Sequence, residues 1–243
     1  KQKYGEVDML IVRHIIEHAS SAKNLLKNMS GLLKPGGYIV LDIPDSEHIF
    51  QAGNHGFMWE EHISYFTESA IHKIASSAGA EVVWVKRYAY PYEDSLIAVL
   101  KFDNNTHTVS VSDEEVQTIS ALLETFTKDL DVQRSQWRKT LEDYKAKNML
   151  VSVLGAGHLA VKFVNFLQLD DLIDCVIDDH PKKGELVMPG SHLPIVPSSA
   201  LKERGIKICI STLSPESEIK VQHKMPDYFA SGGVFIPASV AQS

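Results

Sequence analysis

Two cysteines in 243 residues leave little scope for a disulfide framework. Cys175 and Cys209 each sit in an apolar run that reads as a buried strand. They are expected to be core thiols, which fits a reducing cytoplasm. No cysteine pair has zinc spacing, so no metal is expected. Basic residues are in deficit, with 24 Lys and Arg against 31 Asp and Glu and a net charge of −7. That balance argues against nucleic acid or an anionic membrane surface as the main partner. No apolar run is long enough to span a bilayer, and no signal peptide is visible, so a cytoplasmic location is expected. What is present is apolar content: 44% of residues are hydrophobic, enough to bury the core of one large or two ordinary domains. Residues 1–6 lead straight into a strand with no earlier element to pair it. The chain is therefore expected to be the later part of a longer protein.

Residues 7–12 read as a buried strand. Over 22–33, Leu25, Leu26, Met29, Leu32 and Leu33 recur at helical spacing. Lys34-Pro35-Gly36-Gly37 then breaks the helix, and 38–43 form a second apolar strand. Thr67 can cap a helix that runs to Ala78 and stops at Gly79. Residues 82–85 and 96–102 are two further strands, expected as a hairpin-like edge with 90–94 as the loop. This order predicts an α/β sheet covered on both faces. In such sheets ligands bind at the carboxyl ends of the strands. That rule brings residues 13–18 and 44–62 to one edge.

Within that edge, Trp59-Glu60-Glu61-His62-Ile63-Ser64-Tyr65-Phe66 packs two carboxylates, an imidazole and three aromatic rings into eight residues. A His beside a Glu can take a proton if the fold positions it. The plainer reading is a loop before a helix, with Ile63, Tyr65 and Phe66 as core anchors and the charges in water.

Residues 103–110 read as a polar linker. Ser112-Asp113-Glu114-Glu115 has capping-box spacing. A long helix is predicted from there to about 147, with Val116, Ile119, Leu122, Leu123, Phe126 and Leu130 on one stripe. Its second part, 131–147, is strongly charged and reads as a solvated face. A strand at 150–154 runs into Gly155-Ala156-Gly157-His158-Leu159-Ala160, a G-x-G-x-x-A turn opening a helix. A strand over 173–177 then ends in Asp178-Asp179, where a dinucleotide fold places its ribose-binding acid. Shorter strands are expected near 195, 206–210 and 234–236. Alone, this half suggests a nicotinamide-dependent enzyme or a purely structural Rossmann-like cap.

Several of these segments together resemble a known family. Asp8 near the start of its strand, Glu17-His18, the turn Leu32-Leu33-Lys34-Pro35-Gly36-Gly37 and the strand end Asp42-Ile43-Pro44 resemble the second half of a class I S-adenosylmethionine-dependent methyltransferase. Glu60-Glu61-His62-Ile63-Ser64-Tyr65-Phe66 resembles the signature of sugar C-methyltransferases, which act on nucleotide-linked keto sugars. The second half is similar to that family's carboxyl-terminal Rossmann-like domain. It matches at Gly155-Ala156-Gly157, Asp178, Pro181-Lys182-Lys183-Gly184 and Pro189-Gly190-Ser191-His192-Leu193-Pro194-Ile195.

The resemblance implies an α/β fold of three parts. Residues 1–107 would be the carboxyl-terminal part of the methyltransferase domain, 108–148 a connecting helical segment, and 149–243 a domain positioning the nucleotide sugar. It implies S-adenosylmethionine as cofactor, a nucleotide-diphosphate sugar as substrate, and a place in deoxysugar biosynthesis. His62 would be the base that removes a proton beside the sugar ketone, Glu61 its partner, and His18 and His14 polar aids to the enolate or the sugar. Trp59, Tyr65, Ser95, Gly155, Gly157, Asp178 and Lys182 would bind substrate, and Arg13 and His14 the cofactor. The sequence departs from the family at His14, usually Asn, at Trp59, usually Tyr, and at Glu93-Asp94-Ser95-Leu96, usually Gly-Gly-Ser-Leu. Ser211-Thr212-Leu213 stands where a Trp-Asn pair is usual. A chain starting at Lys1 would lack the glycine loop that cradles the cofactor and would be inactive alone.

Two alternatives stay open at this point. The chain could bind a nucleotide or sugar nucleotide without chemistry, or use the Gly155 turn and Asp178 for NAD. His14-Ile15-Ile16-Glu17-His18 also satisfies H-x-x-E-H, an inverted zinc-peptidase pattern, but its first His comes directly off a strand.

Overall fold

Alternating apolar residues build the first sheet. The computed structural model describes residues 5–90, 93–103 and 112–238. Strand β1 (Val7–Arg13) lies parallel to β2 (Leu33–Pro44). β2 lies antiparallel to β4 (Ser95–Phe102), and β4 antiparallel to β3 (Ala80–Tyr88), giving the order β1-β2-β4-β3. Ile39, Leu41 and Ile43 of β2 and Leu96, Ala98 and Leu100 of β4 point to one face and are fully buried. Helices α1 (Ala22–Ser30) and α3 (Glu68–Ala78) close that face with Leu26, Ile71 and Ala75. Each buried leucine or isoleucine contributes about 1.5–3 kcal/mol relative to exposure. Ser21 caps α1 by accepting from Asn24 N–H, and Thr67 caps α3 by accepting from Ala70 N–H. Gly79 ends α3 at φ 86°, a left-handed turn that glycine adopts without a Cβ clash.

Three details differ from the sequence reading. β1 is not buried: Met9 is 49% and Ile11 69% exposed. Among the described residues it pairs only with β2, which leaves one edge unpaired, and its Met9 and Ile11 face is exposed. Helix α1 ends at Ser30, because Leu33 already belongs to β2 and pairs with Val7. The hairpin-like edge expected of the last two strands is present: β3 lies antiparallel to β4 with β3 outermost, and it is β4 that joins the pair to β2. Both long helices of this sheet lie on one face, and Tyr38, Val40, Ile97 and Val99 on the other face are only half-buried. The linker expected over 103–110 lies, apart from Asp103, outside the described residues.

Helix α2 (Ser46–Gln51) follows β2 at once, capped by Asp45, which accepts from Glu47 N–H. Ile49 and Phe50 of α2 pack with Tyr65 and with Phe126 of α4 (Asp113–Ala146). His55 stacks on the Phe126 ring at 4.0 Å and donates from Nε2 to the Phe126 carbonyl at 2.7 Å. Two compact units divide the chain, Lys1–Phe126 and Thr127–Ser243, with the boundary inside α4. Ser112 caps α4 by accepting from Glu115 N–H.

The second unit is a parallel sheet. Its strands β5 (Val151–Leu154), β6 (Cys175–Ile177), β7 (Ile195–Val196), β8 (Ile208–Ser211) and β9 (Val234–Pro237) take the order β7-β6-β5-β8-β9. This is the doubly wound pattern, in which the chain reverses direction at β5. Every residue of β5, β6 and β8 is buried, as expected of strands covered on both faces. On one face Val153, Val176 and Ile210 meet α5 (His158–Leu167) and the later turns of α4. On the other, Leu154, Ile177 and Cys209 meet Leu201 of α6 (Ser199–Glu203) and Tyr228 of α8 (Pro226–Ala230). Helix α7 (Pro215–Lys224) lies between those two in sequence, capped by Ser214. Thus the charged half of α4 is not only a solvated face. Trp137 and Leu141 are four apart and fully buried in this core, while Arg138 turns outward to pair with Asp171.

Candidate active site at the carboxyl edge of the first sheet

The strand ends set the scaffold. At the exit of β1, His14 takes φ 48°, a left-handed conformation that costs a non-glycine residue on the order of 1 kcal/mol. Its N–H donates to the Asp42 carbonyl at 2.9 Å, which holds the turn against the end of β2. A 3-10 turn, Ile16–His18, follows directly and buries Glu17. The Glu17 carbonyl then accepts from both Ile63 N–H at 2.8 Å and Ser64 N–H at 3.1 Å. Those two bonds fasten the 59–66 segment to the end of β1.

The fastening brings three chemical groups together. The His18 ring meets the His62 ring edge to face, with centroids 4.8 Å apart. His18 Nδ1 lies 3.0 Å from the Glu61 carbonyl. A carbonyl can only accept, so Nδ1 donates, and in the neutral ring Nε2 is the nitrogen with the lone pair. Ligand-capable atoms of Glu17, His18 and His62 all lie within 4.8 Å of one another. Trp59 and Tyr65 flank His62 at 6.4 and 5.7 Å between ring centroids, and the Tyr65 hydroxyl donates to the Trp59 carbonyl at 3.0 Å. Burial raises the Tyr65 phenol above its ordinary value, and the charges of Glu60 and Glu93 add to this. Tyr65 is therefore a neutral hydroxyl at working pH.

Glu17 was not among the expected site residues. It is 1% exposed, and among the described residues neither carboxylate oxygen has a hydrogen-bond donor. His14 Nδ1 lies 3.4 Å from its Oε1. Burying an unpaired carboxylate costs several kcal/mol, so such a group is retained beside cations or donors. Glu61 has the opposite environment, with an exposed side chain and only its carbonyl engaged with His18. The acid beside the imidazole pair is thus Glu17, one residue before His18.

A second cluster adjoins the first. Arg13 Nε donates to Asp42 Oδ2 at 2.6 Å, and the Ser95 hydroxyl donates to Asp42 Oδ1. Burial alone would push the Asp42 carboxyl up, but the bonds from Ser95 and Arg13 and the nearby charges hold it below its ordinary value. Arg13, His14, Asp42, Tyr90, Asp94 and Ser95 line an open cavity of about 240 Å³. Ser95 is itself buried, and its hydroxyl is spent on Asp42, so it holds that carboxylate in place. Asp42 was likewise not expected as a site residue: the strand end Asp42-Ile43-Pro44 marked the fold, and only packing brings Arg13 and Ser95 to its carboxylate.

In the second unit, Gly155 takes φ 92°, and a Cβ there would meet Leu213 Cδ2 at 2.6 Å. Gly157 caps α5 with open space around it. Asp178 accepts from Ala156 N–H, from His180 N–H and from Lys183 Nζ, each at 2.9 Å. Burial alone would push its carboxyl up, yet these donors hold it below its ordinary value. Lys183, not the exposed Lys182, reaches the turn, and it also donates to the Ala156 carbonyl at 2.7 Å. A ribose hydroxyl would have to share Asp178 with three protein donors. The Thr212 hydroxyl further closes the crevice between β5 and β8 by donating to the Leu154 carbonyl at 2.8 Å. This geometry counts against the nicotinamide alternative.

The two sheets define an α/β protein of Rossmann-like, methyltransferase type. A family described as the C-methyltransferase C-terminal domain matches residues 104–238, more than half of the chain, and the chain belongs to it. A methyltransferase domain model matches residues 1–85. Among solved structures, magnesium protoporphyrin IX methyltransferase from Synechocystis PCC 6803 with bound SAM is 14% identical. That match covers 42% of this chain and 41% of that one, at a TM-score of 0.30. The LepI complex with SAM is 16% identical over 42% of this chain and 28% of that one, at a TM-score of 0.33. A putative O-methyltransferase from Nostoc punctiforme PCC 73102 is 16% identical over 40% and 32%, at 0.28. The chain spans less than half the length of these structures. No curated protein matches. Among the described residues no helix is long and apolar enough to cross a membrane.

Proposed function

We propose that this chain carries the proton-abstracting site of an S-adenosylmethionine-dependent C-methyltransferase whose substrate is a nucleotide-linked keto sugar. The observation that supports it is the meeting of His62 with His18 at the carboxyl edge of the first sheet, beside the buried Glu17. A carbon next to a ketone is weakly acidic, so a positioned base must take its proton while donors stabilise the enolate oxygen. His62 is the base. His18, its tautomer set by the Glu61 carbonyl, orients the ring pair. The Tyr65 and Trp59 rings, tied together by the Tyr65 hydroxyl's bond to the Trp59 carbonyl, form the apolar wall against which the sugar packs. The exposed Glu61 carboxylate is placed to accept from a sugar hydroxyl, while Glu17 keeps the imidazole pair in register.

The Arg13 cavity suits the amino-acid end of S-adenosylmethionine. That end carries a carboxylate and an ammonium side by side, and the cavity offers Arg13 as cation with Asp42 and Asp94 as carboxylates. Arg13 is exposed, so its pairing with Asp42 is open to exchange. When bound, the cofactor supplies an electrophilic methyl group on sulfur. The chain's own residues then bind it, exclude water from the enolate and hold the sugar carbon in line. In the second unit, Gly155 and Gly157 are assigned to a nucleotide phosphate at the start of α5; Asp178 is engaged by Lys183 and two backbone N–H groups, and the exposed Lys182 is not the lysine at the turn, so neither is assigned.

Incubating the full-length enzyme with a nucleotide-linked 4-keto sugar in deuterated water tests the reading. Hydrogen at the carbon beside the ketone should exchange with solvent, and His62→Ala should slow both exchange and methyl transfer by 10²–10⁴-fold. Undiminished exchange in His62→Ala would remove the base from the proposal. Binding of NAD alone, without S-adenosylhomocysteine or a nucleoside diphosphate, would favour the oxidoreductase alternative.

A further inference from the structure

We propose that Glu17, His18 and His62 form a binding site for one divalent transition-metal ion of the zinc, cobalt and nickel kind. Ion binding goes beyond the proposed reaction; only its effect on methyl transfer rests on that reading. The sequence offered a different set, the H-x-x-E-H pattern beginning at His14. The fold replaces it, because the turn after β1 leaves His14 in the left-handed region and the 59–66 segment brings His62 to His18 instead.

Three observations carry the inference. Two imidazoles and one carboxylate are a donor set that suits these ions, and their ligand-capable atoms lie within 4.8 Å of one another. Glu17 is buried and, among the described residues, neither carboxylate oxygen has a hydrogen-bond donor, although it faces two rings that can ligate. The His18 Nδ1–H is donated to the Glu61 carbonyl at 3.0 Å. That outer hydrogen bond to a backbone carbonyl is how metal-ligating histidines are oriented, leaving Nε2 to bind. Ligand atoms around a tetrahedral ion with bonds of ~2.0–2.1 Å stand roughly 3.3 Å apart. The cluster therefore has to close by as much as about 1.5 Å, through rotation of the exposed His18 and half-exposed His62 rings. The same exposure is the path by which an ion enters. Three protein ligands leave a fourth position for water. An ion held there occupies the imidazole lone pairs, so on the proposed reading it blocks proton abstraction.

The test is calorimetric titration of the full chain with Zn²⁺, paired with Co²⁺ titration followed by visible absorption, both without methyl donor or sugar. The expected result is one ion per chain and the d–d bands of four-coordinate Co²⁺. His18→Asn and His62→Asn should each weaken binding at least tenfold, while His72→Asn and His223→Asn leave it unchanged. Glu17→Gln should weaken it as well. If that buried variant fails to fold, the two exposed-ring variants decide alone. No saturable binding, or binding that survives His18→Asn and His62→Asn, overturns the site. The readout contains no catalytic step, so a failure of the methyl-transfer reading leaves a distinct result.

Discussion

The Nδ1–H of His18 is donated to the carbonyl of Glu61, the residue immediately before His62. Two segments far apart in sequence are thereby tied side chain to backbone, and the two imidazole rings are brought edge to face at 80°. Whatever the chemistry, the position of His62 depends on the turn that carries His18.

Glu17 and Glu61 should have separable kinetic signatures. Glu17→Gln removes the buried acid beside the imidazole pair and is expected to lower kcat about tenfold and move the pH profile, with little change in KM. Glu61→Gln removes an exposed acceptor and should raise KM for the sugar about three- to tenfold with kcat nearly intact. The reverse pattern in steady-state assays would restore Glu61 as the partner of the base.

Gly155 and Gly157 should likewise part company. Alanine at 155 must take φ 92° and press against Leu213, so Gly155→Ala should lose on the order of 1–3 kcal/mol in urea unfolding. Gly157 has open space and an extended backbone, so Gly157→Ala should change stability by less than about 1 kcal/mol. If the turn holds a phosphate, the same variant weakens nucleoside diphosphate binding by about tenfold in a titration, because the added methyl sits where the anion approaches.

Acid should act on the Asp178 lock. The folded carboxyl is held below its ordinary value, chiefly against burial, by Lys183 and two backbone N–H groups. Its contribution is therefore complete at neutral pH. It is withdrawn as the pH falls through ~4, where the unfolded aspartate takes up a proton, toward the lower folded value. Asp178→Asn should cost roughly 2 kcal/mol at pH 7, and the gap from wild type should be smaller at pH 3, below the ordinary carboxylate value. A gap of equal size at both pH values in chemical denaturation would refute the lock.

Trp137 gives a test of the second core. It is 2% exposed and meets Phe163 edge to face at 5.0 Å. Trp137→Ala should destabilise the second unit by about 3–5 kcal/mol, read as an earlier unfolding transition, whereas alanine at the exposed Val132 should move it by less than about 0.5 kcal/mol.

Much of this was legible in the chain. The strands over 38–43, 96–102 and 150–154, the Thr67 cap, the Gly79 stop and the glycine turn at 155 are written in local periodicity and turn chemistry. These depend on neighbours a few residues away, which a linear reading contains. Less legible were the exposed face of β1 and the pairing of β4 with β2, because strand order is decided by pairing between distant segments. Trp137 was hidden by the charges around it, since composition averages over a helix face that packing resolves residue by residue.

The candidate site divides in the same way. Composition, charge pattern and the Glu61-His62 motif marked the segment proposed to carry the base and the α/β class that presents it at a sheet edge. Only the tertiary structure decided that the neighbouring acid is Glu17, that Ser95 is spent on Asp42, and that Lys183 rather than Lys182 reaches the glycine turn. Which carboxylate faces which imidazole depends on a few ångströms of backbone placement and on exclusion of water. Both arise when separate parts of the chain pack together, and neither is encoded at any one position.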